Sequence, residues 1–557
     1  MPRRYRLFVR LSVALALLLA AAVGLERPSA AAGPGALARR FFAGLAKGRV
    51  KGSREPGLVL AASPSQPVVT SLFAVARKVA RGGALHPVGI EPFSNDELSL
   101  RVPAAVQGRS IVVAQPAEAR EPSTALFRTL LAVAASQSNL ASSVHVVLDR
   151  GLAKRFDPAF VATLFSALHA DSLRYADAHG GPLERLLRPL RGSALAQRLG
   201  VDGPLVPRPV HLPREGRRSK RSGSAAPPLL WSGHGYPELA RGVGEAMGLA
   251  PRFLPTEKAF QGRQILPEDP AGRRVYLLQT KRLGDPEALH RDLFEVLYAA
   301  WQAKQRGAAE VTLVMPYLPY SRSDRMDTAG TTVGAAVLPQ LARAVGVDRV
   351  AFYSVHQPQE VGFFLGQKIQ VLHASGEAVL APAVARHLKA KLTPKELAKH
   401  VRVLAPDPGA RKRALVFARL LAAELGLPEV KVVVAEKERH GRDVKTRFTA
   451  NVRKAVLVAI DDETASGKTL AQLVEPALAK GATSMLAAVS HLTGPAYRLL
   501  DSSRLERLFA LDTVPQPREH HDNAKIEIVS VAQAVGRLLT TLDGRGDLSK
   551  QLFWEHE

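Results

Sequence analysis

The 557 residues are enough for about three domains, each able to bury its own core. With 76 lysines and arginines against 50 acidic residues the chain has a formal charge of +26, which suits anionic partners; the cations are scattered, however, and only 6% of residues are aromatic, so nucleic-acid binding on stacking platforms is not indicated. The absence of cysteine excludes disulfides, thiolate zinc sites, thiol nucleophiles and a lipidated cysteine.

Residues 1–32 read as a targeting segment. Arg3, Arg4, Arg6 and Arg10 precede an apolar run from Leu11 to Leu25 and small residues from Ser29 to Ala32, and the run is short for a membrane span. Residues 33–56 form a linker. From Gly57 the pattern is α/β: strands are expected at 58–64, 110–116 and 143–149, helices at 68–81 and 125–136, then a helix and a strand over 156–179. This alternation predicts a mostly parallel, doubly wound sheet. Residues 202–228 are a Pro- and Gly-rich linker whose basic cluster, REGRRSKR at 214–221, reads as a solvated spacer.

At Leu229 the layout begins again. RRVYLLQT at 273–280 parallels RSIVVAQP at 109–116, AEVTLVMPY parallels SSVHVVLDR, and 333–356 parallels 156–179. The expectation is a tandem duplication of a domain of about 130 residues, the first copy degenerate and the second intact. The implied division is 57–201, 229–368 and a third α/β unit at 369–542, with a polar tail at 543–557.

The third unit carries the most telling stretch. Apolar residues Val456 to Ile460 predict a buried strand, which ends in Asp461 and Asp462 and then in a small, hydroxyl-rich turn, Ala465, Ser466, Gly467, Lys468 and Thr469. Such a turn, opening a helix over 470–479, offers converging backbone N–H groups and a helix dipole to a phosphate. The aspartates suit sugar hydroxyls or hydrated magnesium. A Walker A loop is excluded, because the glycine that motif needs five residues before Gly467 is Asp462.

Four further stretches carry chemistry. PYLPYSRSDR at 316–325 sets Arg322, Asp324 and Arg325 beside tyrosines, types that grip nucleotide phosphates and stack on a base. SVHQPQEVGFF at 354–364 places His356 after a strand, VLAPDPGARKRALVFARLL at 403–421 places Asp407 before a basic helix, and AEKERHGR at 435–442 holds Lys437 and Arg439. With VSHLTGPA at 489–496 and LDTVP at 511–515, these motifs make residues 229–542 resemble the ribose-phosphate pyrophosphokinase family, also called phosphoribosyl-pyrophosphate synthetases, which has the phosphoribosyltransferase fold.

The resemblance implies an Mg2+-dependent kinase that transfers pyrophosphate from ATP to ribose 5-phosphate and releases AMP. It implies that His356 and Asp407 hold the metal nucleotide and that 316–325 is the ATP loop. Lys437 and Arg439, on what the resemblance makes a mobile catalytic loop, would act on the migrating group, and Asp461, Asp462 and the 465–469 turn would take the sugar phosphate. A homo-oligomer is expected. The family's aspartate two residues before the histidine is Ser354 here, and Lys468 replaces a glycine of its phosphate turn. The family's adenine-contacting FSDGE segment is Phe260 to Gln264, FQGRQ, in the intact copy, whereas the degenerate copy has FSNDE at Phe93 to Glu97. We therefore expect Phe93 and Glu97 of the first copy to serve the adenine site of the second. Two alternatives stand beside the active synthetase: an inactive, nucleotide-binding regulatory relative, and a phosphoribosyltransferase. A cytoplasmic, ATP-consuming enzyme fits poorly with an export signal, so residues 1–32 are read as exported, as an uncleaved membrane anchor, or as an extension from an early start codon.

Overall fold

The computed structural model describes residues 226–255, 266–326, 331–440 and 443–542, together with the elements that lie between 58 and 176. The segment 1–57, the helix expected at 68–81, the linker up to 225, the FQGRQ segment and Phe93 and Glu97 lie outside the described residues. No helix of the described residues is long and apolar enough to cross a membrane.

The first unit comprises strands β1 (Leu58–Ala61), β2 (Leu85–Pro87), β3 (Gly89–Pro92), β4 (Leu98–Arg101) and β5 (Ser110–Gln115). Helix α1 (Pro122–Ser138), strand β6 (Ser143–Asp149), helix α2 (Pro158–Ala167) and strand β7 (Ser172–Ala176) complete it. Its sheet has the order β2-β1-β5-β6-β7 and is parallel throughout, with β3 and β4 as a separate antiparallel pair. Asp157 starts α2, accepting from the Ala159 N–H at 2.7 Å ahead of a proline in the first turn.

The second unit contains β8 (Leu229–Ser232), α3 (Pro237–Met247), β9 (Arg252–Phe253), β10 (Arg274–Leu278), α4 (Pro286–Gln305) and β11 (Glu310–Met315). It continues through α5 (Gly334–Ala344), β12 (Arg349–Tyr353), α6 (Gln359–Gly366) and β13 (Gln370–Ala374). The parallel order is β13-β12-β11-β10-β8-β9. Strands β9-β8-β10-β11-β12 repeat the order β2-β1-β5-β6-β7 of the first unit, with helices in corresponding connections. The expected division at 368 is displaced: β13 pairs with β12 through the register Val350↔Val371, so the middle sheet runs to Ala374. Its Leu372 and Ala374 are buried between the two units, which is why an apolar pattern alone did not place the boundary.

The third unit contains α7 (Glu377–Lys391), β14 (Val401–Ala405), α8 (Arg411–Leu425), β15 (Lys431–His440), β16 (Asp443–Phe448), β17 (Val456–Thr464) and α9 (Lys468–Ala479). Strands β18 (Ser484–Leu492), β19 (Arg507–Leu511) and β20 (Ile526–Val529) and helix α10 (Ala532–Thr540) close it. The order is β16-β15-β14-β17-β18-β19-β20, and only the β15–β16 pair is antiparallel. Central β17 is apolar on both faces because both are covered: Val458 and Ile460 join the core that includes Phe417 and Leu421 of α8, and Leu457 and Ala459 the core that includes Leu470 and Leu473 of α9. The last helix returns to the middle unit, α10 lying on α3 where Gly242 faces Ala532 and Gly536 faces Ala246. A Cβ on Gly536 would come within 2.3 Å of the Ala246 Cβ, so this crossing depends on small residues.

Candidate functional site

Strand β14 has β15 on one side and β17 on the other, so the sheet order reverses beside β17. Crevices outside the carboxyl ends of strands at such a switch point are where α/β sheets bind ligands. The sequence puts its paired carboxylates there: Asp461 and Asp462 lie near the carboxyl end of β17.

The two are held differently. Asp462 Oδ2 lies 2.7 Å from His356 Nδ1, which joins the third unit to the loop after β12. Burial works against ionisation of Asp462, but the bond from His356 and the charges of Arg413 and His356 outweigh it and hold this carboxyl far below its usual range. Asp461 is pushed well above its usual range, first by burial and then by the charge of Asp462 beside it. His356 is raised, chiefly by its bond to Asp462. The charges of Arg322 and Asp324 also act on His356, and Asp324 is bonded to Gln359, three residues after His356, so the 316–325 loop lies beside the His356 segment.

That loop follows β11 and is strained. Tyr320 has φ 65°, a left-handed conformation unusual for a bulky residue. Ser323 fastens it to the start of α5, donating to the Thr332 carbonyl and accepting from the Gly334 N–H, both at 3.0 Å. Asp324 is buried and accepts from Gln359 Nε2 at 2.5 Å, whereas Arg322 and Arg325 are exposed. Ser354, two residues before His356, also has a positive φ of 42°. Its hydroxyl accepts from the Gly376 N–H at 2.9 Å and meets the Ser490 hydroxyl at 2.8 Å, so the residue standing in place of an aspartate ties the second unit to β18.

The 465–469 turn opens α9, and the Lys468 N–H faces the Ser466 hydroxyl at 3.4 Å. Gly467 adopts φ 74° as the cap of α9, and its N–H donates to Thr464 Oγ1 at 3.2 Å. Ser466, Lys468 and Thr469 are exposed at the helix start. Gly494 supports the turn from behind: a Cβ there would meet the Ala465 carbonyl oxygen at 2.7 Å. Next to the turn a cavity of about 590 Å³ is lined by Ser466, Lys468, Arg498, Ser503 and Arg504, among others.

The remaining expected residues are more dispersed. Lys437 and Arg439 lie on β15, opposite Thr446 and Val444 of the antiparallel β16, so their segment takes the backbone of a hairpin arm rather than a loop. Asp407 is exposed, and its Oδ1 accepts from the Ala410 N–H at 3.0 Å at the entrance to α8.

Three residues, the half-buried Arg413 and the buried Glu377 and His491, were not among the expected site residues. Arg413 of α8 donates to Glu377 Oε1 at 2.6 Å and to the Val355 carbonyl at 3.2 Å, and its charge acts on both aspartates. Burial would raise Glu377, but Arg413 and the Ser375 hydroxyl hold it below its usual range. His491 of β18 has Nε2 at 3.1 and 3.0 Å from the carbonyls of Tyr353 and Ser354, so Nε2 carries the proton, and Nδ1 lies 2.9 Å from the Thr513 hydroxyl, whose single proton also faces the Ser490 carbonyl at 3.1 Å. Its ring also meets Tyr317 edge-on at 5.1 Å. Arg413 left one local signal, since Arg411, Lys412 and Arg413 crowd cations into a first helical turn where the helix dipole disfavours them.

No group of three His, Asp or Glu residues suited to a metal occurs among the described residues. Magnesium does not need one, being held by one or two carboxylates together with substrate phosphates. The donor chemistry fits: two crowded carboxylates, one kept from ionising by burial and by the other, are relieved by a cation beside them.

Comparison with known proteins identifies the family. A family model described as the N-terminal domain of ribose phosphate pyrophosphokinase matches residues 229–346. The ribose-phosphate pyrophosphokinase of Caldanaerobacter subterraneus subsp. tengcongensis is 32% identical over 312 residues, 54% of this chain and 90% of the relative. That of Deinococcus radiodurans is 30% identical over 315 residues, covering 55% and 92%. Among solved structures, the phosphoribosylpyrophosphate synthetase of Mycobacterium smegmatis aligns over 57% of this chain and 99% of that one, with 22% identity and a TM-score of 0.49. Since the relatives are matched over nine-tenths of their length, the chain belongs to the ribose-phosphate pyrophosphokinase family.

Proposed function

We propose that the chain transfers the terminal diphosphoryl group of ATP to the anomeric hydroxyl of ribose 5-phosphate, giving phosphoribosyl pyrophosphate and AMP. The observation that carries this reading is the single site formed by the Asp461/Asp462 pair, His356 and the 316–325 loop at the switch point of the third sheet. The sugar phosphate takes the N–H groups and helix dipole at Ala465 to Thr469, with Lys468 adding charge, and the sugar hydroxyls bond to Asp461 and Asp462. Arg322 and Arg325 take the nucleotide phosphates, Asp324 holds the loop through Gln359, and Phe93 and Glu97 serve the adenine. The anomeric oxygen attacks the β-phosphorus, its proton passes to solvent, and the bond to the α-phosphate oxygen breaks to release AMP. Lys437 and Arg439 neutralise charge on the migrating group. Magnesium would be held by Asp461 or Asp462 and by His356 and Asp407 together with the phosphates, and would supply charge neutralisation there.

Phosphorus NMR of the full chain with ATP, magnesium and ribose 5-phosphate tests the reading. The expected products are AMP and a sugar bearing an anomeric diphosphate. ADP would indicate a simple phosphoryl kinase, and nucleotide binding without any product would favour the regulatory relative. Free pyrophosphate released from phosphoribosyl pyrophosphate and an acceptor would favour the transferase.

A further inference from the structure

The first unit does not merely precede the second; it meets it through equivalent parts. The stretch LFRTLLA at 126–132 of α1 aligns with LFEVLYA at 293–299 of α4, each in the helix that follows the strand paired with its sheet's first strand, so Phe127 corresponds to Phe294. Helix α1 packs on its counterpart α4, and α2 packs on its counterpart α5. Phe127 and Phe294 touch each other edge to face, with ring centres 6.2 Å apart.

The flanking contacts correspond at the level of the connections, although Phe156 aligns with Val333 and not with Tyr320. Phe127 stacks on Tyr320, in the segment after β11, at 5.8 Å, while Phe294 meets Phe156, in the corresponding segment after β6, at 5.5 Å. Phe160 of α2 adds contacts to Tyr298 and Trp301 of α4, at 4.8 and 5.9 Å. A surface on which each helix meets its own counterpart is isologous in layout, the arrangement of a two-fold dimer. Phe127, Phe156, Phe160, Phe294, Tyr298 and Tyr320 are each no more than 6% exposed and belong to one continuous core, so this face is as dry as a domain interior.

We propose that residues 58–176 are a covalently attached partner that occupies the α4/α5 face of the second unit in place of a second copy of the chain, and that Phe127 is a positioning residue for the 316–325 loop. The second part rests on the reading of that loop as the nucleotide loop. Phe127 stacks on both Tyr320, the strained residue of the loop, and His290, whose Nε2 bonds the Tyr320 hydroxyl at 2.6 Å. The first unit thus clamps the backbone two residues before Arg322.

Two measurements on the full chain decide this. A protease site inserted within 214–221 lets the linker be cut after folding; the two fragments are expected to co-elute at the mass of the uncut chain, and their separation would overturn the attached-partner claim. In Phe127→Leu, which keeps an apolar side chain, amide exchange over 316–325 is expected to quicken. The dissociation constant for ATP should rise on the order of ten-fold, for about 1.4 kcal/mol, with that for ribose 5-phosphate unchanged. Unchanged exchange, or equal weakening of both ligands, would overturn the positioning role. If the uncut wild type binds no ATP, the functional reading fails while co-elution and exchange still decide the interface.

Discussion

Two aspartates at one strand end do different work, and the difference is measurable. His356 is raised by its bond to Asp462, so the folded state holds its proton more tightly than the unfolded chain. The stability from that bond is therefore fully present below about pH 6.5 and is lost as pH rises through the raised value. In urea denaturation, wild type should exceed His356→Gln most near pH 6, and the gap should close at alkaline pH; a gap that widens with pH would contradict the assignment. Asp461 is raised instead, so its ionisation weakens the folded state as pH climbs above its usual range. Asp461→Asn is expected to melt higher than wild type at pH 8 but not at pH 4, while sugar-dependent turnover falls on the order of 10²-fold or more. A lower melting point at pH 8 would show that the carboxylate is better compensated than its surroundings indicate. These aspartates were legible in the sequence because strand, carboxylates and turn are contiguous. Arg413 was not, because its partner Glu377 comes from a different helix and only tertiary packing brings α7 and α8 together.

At the level of elements, the start of α9 depends on two glycines that act for different reasons. Gly467 needs φ 74°, so Gly467→Ala strains the cap by roughly 1–2 kcal/mol. Gly494 needs space, since a Cβ there would press on the Ala465 carbonyl. Both substitutions should raise KM for ribose 5-phosphate several-fold while leaving KM for ATP close to wild type, in steady-state assays. Equal effects on both substrates would mean that the turn is not the sugar-phosphate site. The expected turn and helix were found within two residues of where the pattern put them, because glycine, hydroxyls and apolar periodicity are local signals. The arm carrying Lys437 and Arg439 was read as a loop, yet its backbone pairs as β15 with β16. Charged residues hide a strand when its partner is the exposed edge of a sheet.

For the whole molecule, acid lability follows from histidines buried without charge. Burial lowers His290 to about 3, and His373 and His491 to about 4. Between those values and the ordinary 6.5 the unfolded chain binds more protons than the folded one, so stability falls as pH drops through that window, on the order of 1 kcal/mol per histidine per pH unit. Thermal melts from pH 7 to pH 4.5 should show a steep decline, and His491→Gln should flatten it; a flat wild-type profile would contradict the burial of neutral rings. The repeated strand order of the first two sheets was legible as parallel stretches of sequence, whereas the mutual seating of the two units was not, since Phe127, Phe160 and Phe294 read only as apolar helix positions until the helices meet. The central claim is that the Asp461/Asp462 crevice and the 316–325 loop form one diphosphoryl-transfer site. Its most direct test is AMP release from ATP by the full chain in magnesium, with and without ribose 5-phosphate, for wild type and Asp462→Asn. The account predicts AMP that depends on the sugar and falls on the order of 10³-fold in the variant; AMP formation that ignores the sugar, or is untouched by Asp462→Asn, would contradict it.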